Sequence, residues 1–237
     1  MSGGSTGGSG SGTRRLKERV RTARKRSNAS TRWLERQLND PYVHEARRQG
    51  YRARSIFKLE ELDKRFSLLR RHARIVDLGA APGSWTQYAA QRGCRVVGVD
   101  LLPVQPVAGA EIIEGDFLDP AIQDRLVEML GGPADMVLSD IAASATGTRA
   151  VDRLKAEGVA EAVLAFAERV LRPGGSCLIK LLKGAEAPIM PSARRLFSTC
   201  RLLKPDATRS DSSEIFLLAT GRRAPEGGAA QEGEGGS

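Results

Sequence analysis

The sequence predicts one doubly wound α/β domain with a mostly parallel sheet, and three observations predict it. Short Val/Ile/Leu-rich runs at 74–78, 95–99, 111–113, 135–139, 176–181, 200–203 and 214–220 alternate with helical stretches at 84–92, 121–130, 151–171 and 189–198. The first run ends in a Gly/Ala/Pro-rich turn, Asp77-Leu78-Gly79-Ala80-Ala81-Pro82-Gly83-Ser84-Trp85, that leads into a helix and exposes backbone at a strand-to-helix crevice. The last connection, from Leu202 to Glu214, is polar and irregular rather than helical, so the seventh strand could return antiparallel. Helices on both faces would leave the carboxyl edge of the sheet open for a ligand.

Taken in order, residues 1–12 are almost wholly Gly, Ser and Thr, and Thr13 to Arg26 carries eight Lys or Arg against one Glu. Residues 1–30 are therefore expected to be a disordered, basic tail and 224–237 a Gly/Glu-rich one, with a single domain over 31–223 between them. From Asp40 to His72 the pattern reads as basic helices, with Ile56, Leu59 and Leu62 on one stripe. The turn after the first strand is neither the dinucleotide fingerprint nor a phosphate-cradling Gly-Lys-Ser/Thr loop. An aspartate at its start, Asp77, would repel a pyrophosphate and suits a cationic cofactor such as S-adenosylmethionine.

The chain has 37 Lys plus Arg against 28 Asp plus Glu, a net charge of +9, which points to an acidic partner such as nucleic acid. No window approaches the ~18 uninterrupted apolar residues of a membrane span, so the expectation is a cytoplasmic protein. Cys94, Cys177 and Cys200 are far apart, with no Cys-x-x-Cys pair, and read as buried reduced thiols. With His44 and His72 the only histidines, no metal site is expected.

Candidate site residues gather at strand ends. Asp100 closes the second strand 23 positions after Asp77, the placement of a carboxylate that takes a ribose diol; a turn-capping aspartate is the alternative. Gly115-Asp116-Phe117 follows the third strand and could offer a carboxylate to an adenine amino group, although Gly-Asp is also an ordinary turn. Asp140 ends the fourth strand, Val137-Leu138-Ser139-Asp140, at the same edge. The sequence that follows, Ile141-Ala142, lacks the Pro-Pro-aromatic run that holds a base amine, which disfavours base-nitrogen methylation. Lys180 interrupts the apolar fifth strand and, if buried, needs a partner such as Asp140; a solvent-reaching edge lysine is the alternative. Glu214 opens the last strand, and Lys58 sits on the basic helix.

Together these segments resemble the FtsJ family, the large-subunit ribosomal RNA 2′-O-ribose methyltransferases of type E. The resemblance runs from about Trp33 to Arg223 through Asp40-Pro41-Tyr42-Val43, Arg52-Ala53-Arg54-Ser55-Ile56-Phe57-Lys58-Leu59, the Asp77–Trp85 turn, Asp100-Leu101-Leu102-Pro103, Gly115-Asp116-Phe117, Ser139-Asp140 and Ala219-Thr220-Gly221. It implies a Rossmann-like class I methyltransferase fold with seven strands, the last antiparallel. It also implies a Lys58-Asp140-Lys180-Glu214 catalytic tetrad and contacts from Gly83, Trp85, Asp100, Asp116 and Asp140 to S-adenosylmethionine. The implied substrate is a uridine of 23S ribosomal RNA in the assembled large subunit, and the implied state a monomer.

Where the family commonly has Asp-Met-Ala-Pro-Asn, this chain has Asp140-Ile141-Ala142-Ala143-Ser144. A ribose hydroxyl is a weak nucleophile whose proton must leave as the methyl arrives, so Lys180 is expected to accept or steer that proton. The basic residues Arg47, Arg48, Arg52, Arg54, Lys64 and Arg65, with the Arg-rich tail, are expected to contact RNA phosphates. Alternatives left open are a 2′-O-methyltransferase of transfer RNA or messenger RNA caps, and a non-catalytic RNA-binding assembly factor.

Overall fold

A computed structural model describes residues 34, 35, 37–142 and 146–224. The basic tail, the acidic tail and Ala143, Ser144 and Ala145 lie outside the described residues. The chain divides into two compact units, Met1–Glu45 and Ala46–Ser237. In the first, Asp40 caps the start of helix α1 (Pro41–Arg48) by accepting from Tyr42 N at 3.0 Å.

The second unit holds a seven-stranded sheet in the order β3-β2-β1-β4-β5-β7-β6. Its strands are β1 (Arg74–Leu78), β2 (Arg95–Asp100), β3 (Ala110–Glu114), β4 (Ala134–Ser139), β5 (Leu171–Leu182), β6 (Phe197–Leu203) and β7 (Glu214–Arg222). Strands β1 to β5 pair in parallel, whereas β7 runs antiparallel to both β5 and β6. The strand order turns back between β1 and β4, the place where an open sheet of this kind forms its crevice.

The helices of this unit are α2 (Ile56–Phe66), α3 (Ser84–Gln91), α4 (Pro120–Leu130), α5 (Arg149–Val170) and α6 (Glu186–Leu196). Helix α4 has a full set of start and stop signals. Asp119 accepts from Ala121 N at 2.9 Å, Pro120 takes the first turn, and Gly131 ends the helix in the left-handed conformation. Helix α5 buries Ala160, Val163, Leu164, Ala167 and Val170, a 3–4 spacing that turns one stripe to the sheet. The core runs continuously across both halves and includes a perpendicular Phe117–Phe166 ring pair at 5.4 Å. Among the described residues no helix is long and apolar enough to cross a membrane.

Several boundaries differ from the sequence reading by one to five residues, and two of them have a plain cause. Strand β5 begins at Leu171, five residues early, because Leu171 already pairs with Ala134 and residues 172–175 fall in the register shift before Ser176 pairs with Met136. Helix α6 stops at Leu196, and Phe197 already pairs with Arg222 of β7 and is buried. Tertiary pairing overrode the local pattern at both places.

Candidate active site

A cavity of about 780 Å³ opens at the carboxyl edge of β1, β2, β3 and β4. Its walls include Gly79 and Ala81 of the first turn, Asp100 to Leu102 after β2, Gly115 to Leu118 after β3, and Asp140 to Ala142 after β4. Gly79 is held at φ +77°, and a Cβ there would stand 2.8 Å from the backbone nitrogen of Ile141. Only glycine lets these two cavity walls approach so closely.

The aspartates on this side shape the backbone. Asp100 accepts from Ala81 N at 2.8 Å and from Leu102 N at 2.9 Å, tying the first turn to the loop after β2. Asp116 accepts from Leu118 N at 2.9 Å. The turn-capping alternative for both residues is thus realised. It leaves each carboxylate on the cavity wall with lone pairs to spare, so capping and ligand binding are compatible.

Asp77 is placed differently from the sequence expectation. It is fully buried beneath the turn, outside the cavity lining, and accepts from the Thr86 hydroxyl at 2.6 Å. Burial pushes its carboxyl up to about 7, with Asp140 and Asp100 adding to the rise and Thr86 opposing it. Preference for a cation therefore falls to Asp100, Asp116 and Asp140, which do line the cavity.

Beside the cavity, four charged side chains form two ion pairs. Lys58 Nζ on α2 meets Glu214 Oε2 on β7 at 2.6 Å. Lys180 Nζ on β5 lies 3.0 Å from Asp140 Oδ1 and donates to the Asp140 carbonyl at 2.6 Å. The directed bond goes to the carbonyl. Asp140 Oδ1 itself is buried without an aligned hydrogen bond among the described residues, so its contact with the ammonium is one of proximity.

Register brings the pairs together. Lys180 faces Phe216 across β5 and β7, and Glu214 lies two residues before Phe216, on the same face. Lys58 Nζ sits 5.6 Å from the centre of the Phe216 ring. Burial alone would raise Glu214, but Lys58, then Lys180 and Ser212, hold its carboxyl below the usual range. β5 lies inside the sheet between β4 and β7, so Lys180 is not an edge lysine.

Asp140 belongs to both the cavity wall and the ion pairs. Gly83 and Trp85 are not among the lining residues. Trp85 is buried, donates from its indole to Ser55 O at 2.9 Å and packs on Phe216 with ring centres 5.9 Å apart. Of the expected phosphate contacts, Arg47, Lys64 and Arg65 are exposed. Arg52 and Arg54 are instead engaged with backbone, Arg52 on three carbonyls and Arg54 on Ala207 O. Sequence reasoning missed Lys155, Gly158 and Val159 of α5, which also line the cavity. The one local signal was a glycine inside an otherwise regular helix.

The profile of the FtsJ-like methyltransferases matches residues 51–222. The chain belongs to this family. It is 55% identical over 206 residues to a ribosomal RNA large subunit methyltransferase E of Gluconobacter oxydans, covering 86% of this chain and 77% of that one. A protein of the same name from Acidiphilium cryptum is 50% identical over 212 residues, covering 89% and 94%. Among solved structures, one described as a ribosomal RNA methyltransferase from Plasmodium falciparum superposes with a TM-score of 0.65 at 24% identity, covering 73% of this chain and 98% of that one. That likeness shows the same fold, and the seven-stranded class I methyltransferase sheet agrees with it.

Proposed function

We propose that this methyltransferase uses S-adenosylmethionine to methylate the ribose 2′-hydroxyl of a uridine in large-subunit ribosomal RNA, with the assembled subunit as substrate. The observation that carries the proposal is the Lys180–Asp140 ion pair standing where the tetrad meets the cavity wall. The relatives named as ribosomal RNA large subunit methyltransferase E support the choice of RNA.

The cavity residues fit the cofactor. Leu101, Phe117 and Ile141 give apolar surface for a flat base, and Asp100 offers lone pairs to a ribose diol. Asp140 Oδ1, close to the Lys180 ammonium but without an aligned hydrogen bond among the described residues, can still accept from a donor on the ligand. Trp85, in the first turn of α3, would serve the amino-acid end through its backbone N–H, whereas the Gly83 N–H is given to Ala80 O at 2.6 Å and Gly83 would act by leaving room for close approach. When bound, S-adenosylmethionine supplies a methyl group on a positively charged sulfur.

The remaining chemistry belongs to the chain. The hydroxyl proton would pass to Lys180 once its ammonium, held by Asp140, has released a proton of its own to solvent. Asp140 orients that amine through its carbonyl and carboxylate, and Lys58 and Glu214 hold the neighbouring charge in place. Arg47, Lys64 and Arg65 are exposed and would be open to RNA phosphates.

The test is to incubate large subunits from cells lacking this protein with the purified enzyme and a labelled methyl donor, then map the label. Methylation of a single ribose 2′-oxygen on a uridine is expected. Label on a base, or on transfer RNA in preference to the subunit, would overturn the reading.

A further inference from the structure

The cofactor-side loops are fastened from outside by a residue that the charge pattern alone would assign to RNA. Arg52 Nη1 donates to Pro82 O at 3.1 Å and to Gln105 O at 2.6 Å, and its Nη2 donates to Pro106 O at 2.6 Å. Pro82 lies in the turn that supplies Gly79 and Ala81 to the cavity. Gln105 and Pro106 end the loop that supplies Asp100, Leu101 and Leu102. The guanidinium thus spans the outer ends of two loops that are joined on the inside by Asp100 and Ala81.

Gly83 is shaped to this arrangement. It has φ +100°, and a Cβ there would stand 2.7 Å from Arg52 Nη1 and 3.0 Å from Val104 Cγ1. Three residues beyond Arg52 the same segment is fastened again to the first turn of α3, through the Ser55–Ser84 hydroxyl pair at 2.8 Å and the Trp85 indole on Ser55 O. A guanidinium reaches three carbonyls because its donors are fixed in one plane. A lysine ammonium in the same place is a single point and cannot span them.

We infer that Arg52 is a positioning residue for cofactor binding: its guanidinium pins the turn around Pro82 to the loop at Gln105 and Pro106 and so fixes the width of the cavity between them. The inference rests on reading that cavity as the S-adenosylmethionine site. Three of the five N–H donors of Arg52 are committed to backbone carbonyls, so its main work is not phosphate binding.

Full-length wild-type protein, Arg52→Lys and Arg52→Ala would be compared in three measurements. These are calorimetric binding of S-adenosylhomocysteine, the KM for S-adenosylmethionine with kcat on large subunits, and RNA affinity as a function of salt. Arg52→Lys keeps the charge and the aliphatic stem, and carries the test if Arg52→Ala does not fold. Loss of two or more hydrogen bonds should weaken S-adenosylhomocysteine binding and raise KM about tenfold or more. kcat at saturating cofactor should stay within about twofold, with the salt slope of RNA binding unchanged. Unchanged cofactor affinity in Arg52→Lys would overturn the inference, whether stability falls or not. If in addition the salt slope drops by about one, Arg52 is a phosphate contact. Failure of the wild-type protein itself to bind S-adenosylhomocysteine would instead remove the cofactor reading before any substitution is made.

Discussion

On the cavity wall after β2 and β3 the aspartates Asp100 and Asp116 bond to backbone, and around β4, β5 and β7 the site's charged groups pair with one another. Asp100 and Asp116 accept from Ala81, Leu102 and Leu118 nitrogens and hold loops in shape. Lys58, Glu214, Lys180 and Asp140 form ion pairs over a nearly buried patch. The first arrangement makes a mould, rigid and open on its inner side, suited to holding a ligand. The second places compensated charge next to that mould, where the proposed chemistry would take place. Asp140, at the strand-order reversal, is the residue where the two meet.

The largest effect should come from the second half. Lys180→Ala removes the proposed proton acceptor, and kcat is expected to fall about 10³-fold, within the range of general acid–base groups. S-adenosylhomocysteine affinity should stay within about threefold, because Lys180 is not a cavity-lining residue. Lys180→Met, which keeps the stem packed in β5, controls for lost packing. Near-normal turnover in both variants would remove Lys180 from the reaction. A parallel collapse of cofactor affinity would show that the two halves do not work separately.

The complementary substitution is Asp100→Ala. It strips the acceptor from two backbone nitrogens, each hydrogen bond being worth about 1 kcal/mol, so S-adenosylhomocysteine should bind about 10–100-fold more weakly. kcat at saturating cofactor should change little. If kcat falls as far as affinity, Asp100 also positions the reacting atoms and the comparison must be redrawn.

The two halves also differ in how far the sequence reveals them. Asp100 and Asp116 are legible because each sits at the end of a strand beside the residues it caps, within a few positions on the chain. Lys58 and Glu214 are 156 residues apart, and their contact exists only because β7 inserts between β5 and β6 with Glu214 opposite Leu182. No local pattern carries that. The strand and helix alternation predicts the sheet, and the irregular last connection with the family resemblance predicts its antiparallel seventh strand, whereas the early start of β5 and the end of α6 depended on partners across the sheet. Arg52 shows the limit from the other side. It lies in a run of arginines, where charge suggests phosphate, and its actual partners are carbonyls 30 to 54 residues away.

Asp77 tests the boundary between the halves with the smallest effect. It lies on β1 beneath both the turn and Asp140, and its carboxyl is raised by burial to about 7 from an ordinary 3.8. Between about pH 4 and 7 the folded protein retains a proton that the unfolded chain has released. Stability should therefore fall as pH rises through that window, by at most about 1.4 kcal/mol per pH unit, and level off above 7. Asp77→Asn keeps an oxygen to accept from Thr86 and cannot titrate. Denaturant titrations at pH 5.5 and 8 should show the variant gaining on the wild type at the higher pH, with little change in kcat because Asp77 is outside the cavity wall. Equal pH profiles would mean that Asp77 is ionised throughout. Its charge would then be felt by Asp140, and the mould and the ion pairs would share one electrostatic unit.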